Sequence, residues 1–284
     1  GGGRECGMVG DEFNGSGGTE NYLTASPGTG SQATTVATYT WNASGSASWA
    51  TAANWTPART TPSTSDVLQF NAGGSVTATA VPTETIGRLL ISSGSTVALQ
   101  AGAASAVLTV GGGTGTDLSV GAGSALNVDG ANALKILVAT GATGSVSGAM
   151  TFMNAGHQLD AADASGVTFQ NGASLTQGTG ASGNIFTTAG AASAIVFASG
   201  STFNQLAGSN PFGLTQPASK VSFQTGSLFS LQFNTSPSMS GRTYANFELN
   251  ATGATVGPTG AATLAMDNLA VTAGFVLIVV VGLG

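Results

Sequence analysis

Val221-Ser222-Phe223-Gln224-Thr225-Gly226-Ser227-Leu228-Phe229 reads as a short alternating strand, a turn ending in glycine, a small residue and a second alternating strand. The same pattern returns at Leu89–Val97, Leu118–Leu126, Val167–Leu175, Val196–Phe203 and Phe247–Val256. Its turn glycines are Gly94, Gly123, Gly172, Gly200, Gly226 and Gly253, with weaker members at Gly144 and Gly274. These eight positions are spaced about 26 residues apart on average, within the range that marks stacked supersecondary units. Period-two alternation gives each strand one buried and one exposed face, and glycine supplies the positive φ that a tight corner demands. The pattern predicts an all-β chain, a right-handed parallel β-helix (β-solenoid) with rungs of about 26 residues. Leu89, Ile91, Leu118, Val120, Val167, Phe169, Val221, Phe223, Phe247 and Leu249 are its expected inward residues, and Phe169, Phe197, Phe223 and Phe247 an expected aromatic ladder. A β-sandwich needs no repeat of this length, and propeller blades run to about 40 residues or more.

Composition agrees. Only 6% of the 284 residues are charged, so long amphipathic helices have almost nothing from which to build a polar face. Hydrophobic residues make up 42%, which excludes disorder of the highly charged, weakly hydrophobic kind. The net charge is −6, and the basic residues are scattered at Arg4, Arg59, Arg88, Lys135, Lys220 and Arg242. Nucleic-acid binding requires clustered cations, so it is not expected. A lone cysteine, Cys6, forbids an internal disulfide. The chain opens on Gly1 without Met and reads as a processed chain or fragment.

Three segments divide the sequence. Residues 1–37 form a Gly/Ser/Thr-rich arm in which Phe13, Tyr22 and Leu23 are the apolar groups able to pin it to a neighbour. Residues 38–83 hold all the tryptophans, Trp41, Trp49 and Trp55, which either cap the open end of the solenoid or form a platform for glycan stacking. Residues 84–284 carry the rungs and close on Phe275-Val276-Leu277-Ile278-Val279-Val280-Val281. Seven residues cannot span a bilayer as a helix, so no membrane-spanning segment is expected. The run is either a last core strand or a strand that docks on another subunit.

Catalytic signals are sparse. His157 has no cysteine neighbour and no nucleophile elbow, so neither a zinc site nor a serine triad is indicated. Asp160 and Asp163 are a close carboxylate pair, read as a solvated loop or a weak Ca²⁺ contact, with glycoside hydrolysis as the sharper alternative. Gly111-Gly112-Gly113 lacks the following Lys-Ser/Thr of a phosphate loop. No catalytic residue, metal or cofactor is assigned.

The stretch Tyr39-Thr40-Trp41-Asn42, Ser48-Trp49, Ala53-Asn54-Trp55-Thr56-Pro57, Asp66 and Phe70 resembles the opening of secreted bacterial β-solenoid surface proteins. These are autotransporter-passenger-like chains and the repetitive surface proteins of Bacteroidetes-type secretion. Arg242-Thr-Tyr-Ala-Asn-Phe-Glu-Leu-Asn-Ala-Thr-Gly253 is similar to their rungs. The resemblance implies a location outside the cell or on its surface, and it carries no catalytic residues. The leading expectation is a structural subunit of a filament, sheath or layer that joins copies of itself by strand addition or end-to-end stacking. An adhesin or carbohydrate-binding solenoid is the alternative, and a polysaccharide-degrading β-helix enzyme the third.

Overall fold

A computed structural model describes residues 36–276 apart from 189, 209–211, 213, 216, 236–238, 240 and 257–262. It is a β-solenoid whose strands stack into three sheets, parallel except for one short antiparallel strand at the N-terminal end of the first. Sheet A has nine strands and sheet B ten, while sheet C has four, from Glu84–Ile86 to Gln158–Ala161. Through the middle of the chain each turn visits A, B and C in order: Arg88–Ile91, Ser95–Ala101 and Ala106–Val110 form one such turn. Leu68, Leu89, Leu118, Gly144, Val167, Ile195 and Val221 pair in register down sheet A, so successive turns are 21 to 29 residues apart. The segment 38–83 already contains the first turns. Its strands Thr38–Trp41 and Val67–Phe70 belong to sheet A, and Gly45–Ser48 and Gly74–Val81 to sheet B.

Alternation decides which side chains fill the coil. The expected inward residues from Leu89 to Leu249 are all buried, Phe223 being the most exposed at 8%. Phe169 stacks on Phe197 (centroids 4.7 Å, planes 7° apart), and Phe197 on Phe223 (4.9 Å, 16°). Phe247 does not join this ladder. It pairs with Phe229 in sheet B, where Phe203, Phe229 and Phe247 form a second aromatic column. The repeat had aligned Phe247–Val256 with strand, corner and strand, but Asn246–Val256 is one long strand of sheet B. Gly253 and Gly274 take positive φ inside such long strands instead of at a corner.

The corner between sheets A and B is a four-residue turn. Backbone N–H groups of Ser95, Ser124, Ala173, Ser201 and Ser227 each donate to the carbonyl three residues earlier. The preceding residue in each is a glycine with φ between +71° and +90°, the conformation required at the third position of such turns. Gly144 is not a member. It lies within a sheet A strand, and that turn's corner is shortened to Ser147-Gly148. There the backbone presses so closely on the rung below that a Cβ on Gly148 would stand 2.1 Å from the Ser124 carbonyl oxygen.

Candidate functional site

The two ends of the solenoid differ, and the difference is the most informative functional feature. At the N-terminal end sheet A is closed by the two-residue strand Trp55–Thr56, antiparallel to Thr38–Trp41. Trp41, Trp49 and Trp55 are 3%, 1% and 1% exposed. Trp55 packs edge-on against both of the others, at 4.9 and 5.1 Å, and against Phe70. Its indole N–H donates to the Trp49 carbonyl, and that of Trp49 donates to the Glu84 carboxylate. Arg59 grips the same carboxylate through Nη1 and Nη2 (3.1 and 3.0 Å) and Asp66 through Nε (2.8 Å). Burial alone lowers the pKa of this guanidinium, but its hydrogen bonds to Glu84 and Asp66 outweigh that and raise it. The tryptophans therefore form a cap. Stacking on a sugar needs an accessible ring face, and these rings are covered by one another and by Phe70. A shallow pocket of about 270 Å³ beside the cap is lined by the loops 42–45 and 71–75 and touches Trp41.

Among the described residues the C-terminal end is open. Its last described strand, Asn268–Val276, is the edge of sheet B and pairs in parallel with Asn246–Val256. Leu269 and Val271 continue the inward columns of Phe203, Phe229 and Phe247 and of Leu231 and Leu249. Those five are 0–1% exposed, whereas Leu269 is 43% and Val271 48% exposed, and among the described residues no further rung lies over them. Phe275, on the same strand, is 71% exposed. Of the residues expected to join subunits, Phe275 is thus an exposed group. Val276 ends the strand. Phe13, Tyr22, Leu23, Leu277, Ile278, Val279, Val280 and Val281 lie outside the described residues. Leu269 and Val271 were not singled out from sequence, although the alternation Asn268-Leu-Ala-Val-Thr272 carries the signal.

The polar candidates are structural partners. Asp160 is not on a solvated loop: it is 8% exposed within the strand Gln158–Ala161 and pairs with Lys220, which is 1% exposed, and with Lys135 at 3.8 Å. The Asp163 carboxylate accepts the Gly141 N–H at 2.6 Å. His157 is 2% exposed and its Nδ1 accepts the Leu134 N–H at 2.9 Å. Burial holds its pKa below the ordinary histidine value, against the charge of Asp129 and the backbone of Gly130, Met153 and Leu134. Among the described residues no group of three His, Cys, Asp or Glu side chains could hold a metal, and no helix is long and apolar enough to cross a membrane.

No protein-family model matches the chain, and neither a curated protein nor a solved structure is similar enough to match it.

Proposed function

We propose that this chain is a structural module of an extracellular surface assembly, joined to a second copy through its C-terminal end. What supports the reading is the contrast between a sealed end and an open one. The sealed end buries three tryptophans; the open end leaves Leu269, Val271 and Phe275 in water at positions adjoining a continuous apolar core. Contiguous exposed apolar groups beside a strand edge that is unpaired among the described residues favour strand addition. The surface chemistry fits repeated packing, because outward-facing, half-buried positions of sheet B such as Thr151, Thr176 and Asn204 are polar and uncharged and do not repel a neighbour.

The test is light scattering coupled to size-exclusion chromatography over a wide concentration range, with electron microscopy of the same sample. Concentration-dependent association that Leu269→Asn combined with Phe275→Ser abolishes, with the fold intact by circular dichroism, is the expected result. A monomer at every concentration removes self-assembly as the function. The glycan-binding alternative is tested by quenching of tryptophan fluorescence with polysaccharides; with rings 1–3% exposed the expected response is nil.

A further inference from the structure

Three cations are buried among the described residues: Arg59, Lys220 and Arg242, at 5%, 1% and 5% exposure. Arg59 is held by Asp66 and Glu84, and Lys220 by Asp160. Arg242, which precedes the strand Asn246–Val256, faces no carboxylate among the described residues. Its Nη1 donates to the Leu214 carbonyl, its guanidinium carbon stands 5.1 Å from the Phe212 ring centroid, and its buried Nε has no acceptor. A cation over an aromatic face is attracted, but the ring does not take up the N–H donors.

A second donor nearby is similarly ill served. Tyr244, two residues on and 2% exposed, directs its hydroxyl at the Met239 thioether sulfur 3.9 Å away, a weak acceptor. Arg242 and Tyr244 both pack on Phe212, the guanidinium carbon 5.1 Å and the Tyr244 ring 5.4 Å from its centroid. The undescribed stretches nearest to Arg242 in sequence, 209–211, 213, 216, 236–238, 240 and 257–262, contain neither Asp nor Glu. A buried guanidinium normally has a hydrogen-bonded anion, since desolvating it alone is costly and a carboxylate matches its fork of donors.

We infer that Arg242, with the Tyr244 hydroxyl beside it, is a recognition site for a carboxylate that another molecule supplies. The carboxylate takes the fork of Arg242 N–H groups, Tyr244 turns its O–H from sulfur to oxygen, and Phe212 flanks the pair. Free organic acids and the Asp or Glu side chains of a peptide share this chemistry. The site does not depend on the self-assembly reading, so either can fail alone.

The test uses the full chain at pH 7 and constant ionic strength, in sodium chloride, in sodium acetate and with a tetraglutamate peptide. The Arg242 Nε–H resonance is followed by NMR and the melting temperature by circular dichroism. The expected result is a saturable shift of that resonance and a rise in Tm of a few degrees. Acetate acting as well as the peptide at equal carboxylate concentration identifies a free-acid site, and response to the peptide alone identifies an acidic segment. In chloride, Arg242→Met should melt no lower than the parent chain, because it removes an uncompensated buried charge, and it should lose the response to both probes. Tyr244→Phe, which keeps the ring in place, should weaken the response several-fold. An unmoved Nε–H resonance with both probes, or an equal Tm rise in parent and Arg242→Met, overturns the inference. So does a clear destabilisation by Arg242→Met in chloride, since it would mean that the guanidinium is already compensated.

Discussion

Phe197→Ala is the substitution that probes the coil most directly. Phe197 is fully buried, stacked between Phe169 and Phe223 at 4.7 and 4.9 Å, and touches Phe203 from sheet B at 5.7 Å. Truncating a buried phenylalanine costs about 3–5 kcal/mol, and each aromatic pair adds about 0.5–1.5 kcal/mol beyond the area it buries. The site cannot collapse to fill the void. The rungs above and below are pinned by in-register pairing of Phe169, Phe197 and Phe223, which fixes the strand separation near 4.8 Å whatever fills the interior. The loss should therefore fall at the upper end, about 5 kcal/mol, which lowers Tm by roughly 10–20 °C in a chain of this size. Phe275→Ala, at a ring 71% exposed, is the control and should change stability by less than about 0.5 kcal/mol. Because a solenoid is stabilised rung by rung, hydrogen exchange should accelerate around residues 167–223 before it does around 67–146. A loss under about 2 kcal/mol, or equal losses at Phe197 and Phe275, would refute the assignment of an interdigitated aromatic interior.

The remaining expectations concern corners and buried charge. Gly148→Ala should cost about 3 kcal/mol or more in a denaturant melt, because its Cβ would stand 2.1 Å from the Ser124 oxygen and 2.5 Å from that of Gly121, both backbone atoms. Gly94→Ala meets open space and suffers only its φ of +71°, so about 1–2 kcal/mol is expected. Glu84→Gln should cost about 3 kcal/mol and red-shift the fluorescence, since it weakens the hold on Arg59 and the Trp49 indole, and all three tryptophans report on that end of the coil. His157 is bound as the neutral imidazole with its pKa below the ordinary value near 6.5, so its contribution is complete above about pH 6.5 and is lost as pH falls toward the folded-state pKa. Thermal melts of the parent and His157→Gln from pH 7 down to 4.5 should show a steeper loss in the parent, by at most about 1.4 kcal/mol per pH unit.

The fold was legible because three independent signals coincide in most rungs: alternation, a positive-φ glycine and a near-constant spacing. Where one signal failed, the reading failed with it. Gly144 was taken for a corner because it fits the spacing, but the chain had shortened that corner to Ser147-Gly148, and a steric glycine leaves no turn signature. Phe247 fits the aromatic repeat, yet among the described residues the last rungs have no sheet A strand, and its segment pairs in sheet B. The tryptophan cluster was legible as a site but not as a cap or a platform, since the distinction rests on burial by Phe70 and on Glu84, 14 residues further along the chain. Asp160 and Lys220 were missed as a pair because sixty residues separate them, and only the stacking of rungs brings them together.

Charge in this chain has a local purpose that its scarcity makes visible. The regular rungs need none: the parallel ladder, the glycine corners and the apolar columns already specify them. Buried ionic and carboxylate contacts occur where the backbone leaves the coil. Arg59 ties the excursion between Trp55 and Val67 to Asp66 and Glu84. Asp117 accepts N–H groups from Gly113 and Thr143, fastening the excursion after Val110 to the next rung. Lys220, at the end of the excursion after Gln205, reaches back to Asp160. An excursion cannot satisfy its polar groups through the ladder, so a long side chain with several donors or acceptors replaces the missing ladder bonds. Arg242 stands in the same kind of place, after the excursion that follows Leu231, but the described residues give it a carbonyl and an aromatic ring where the others have a carboxylate. In a solenoid that otherwise pairs its buried cations, that exception marks the position where the missing anion would have to come from elsewhere.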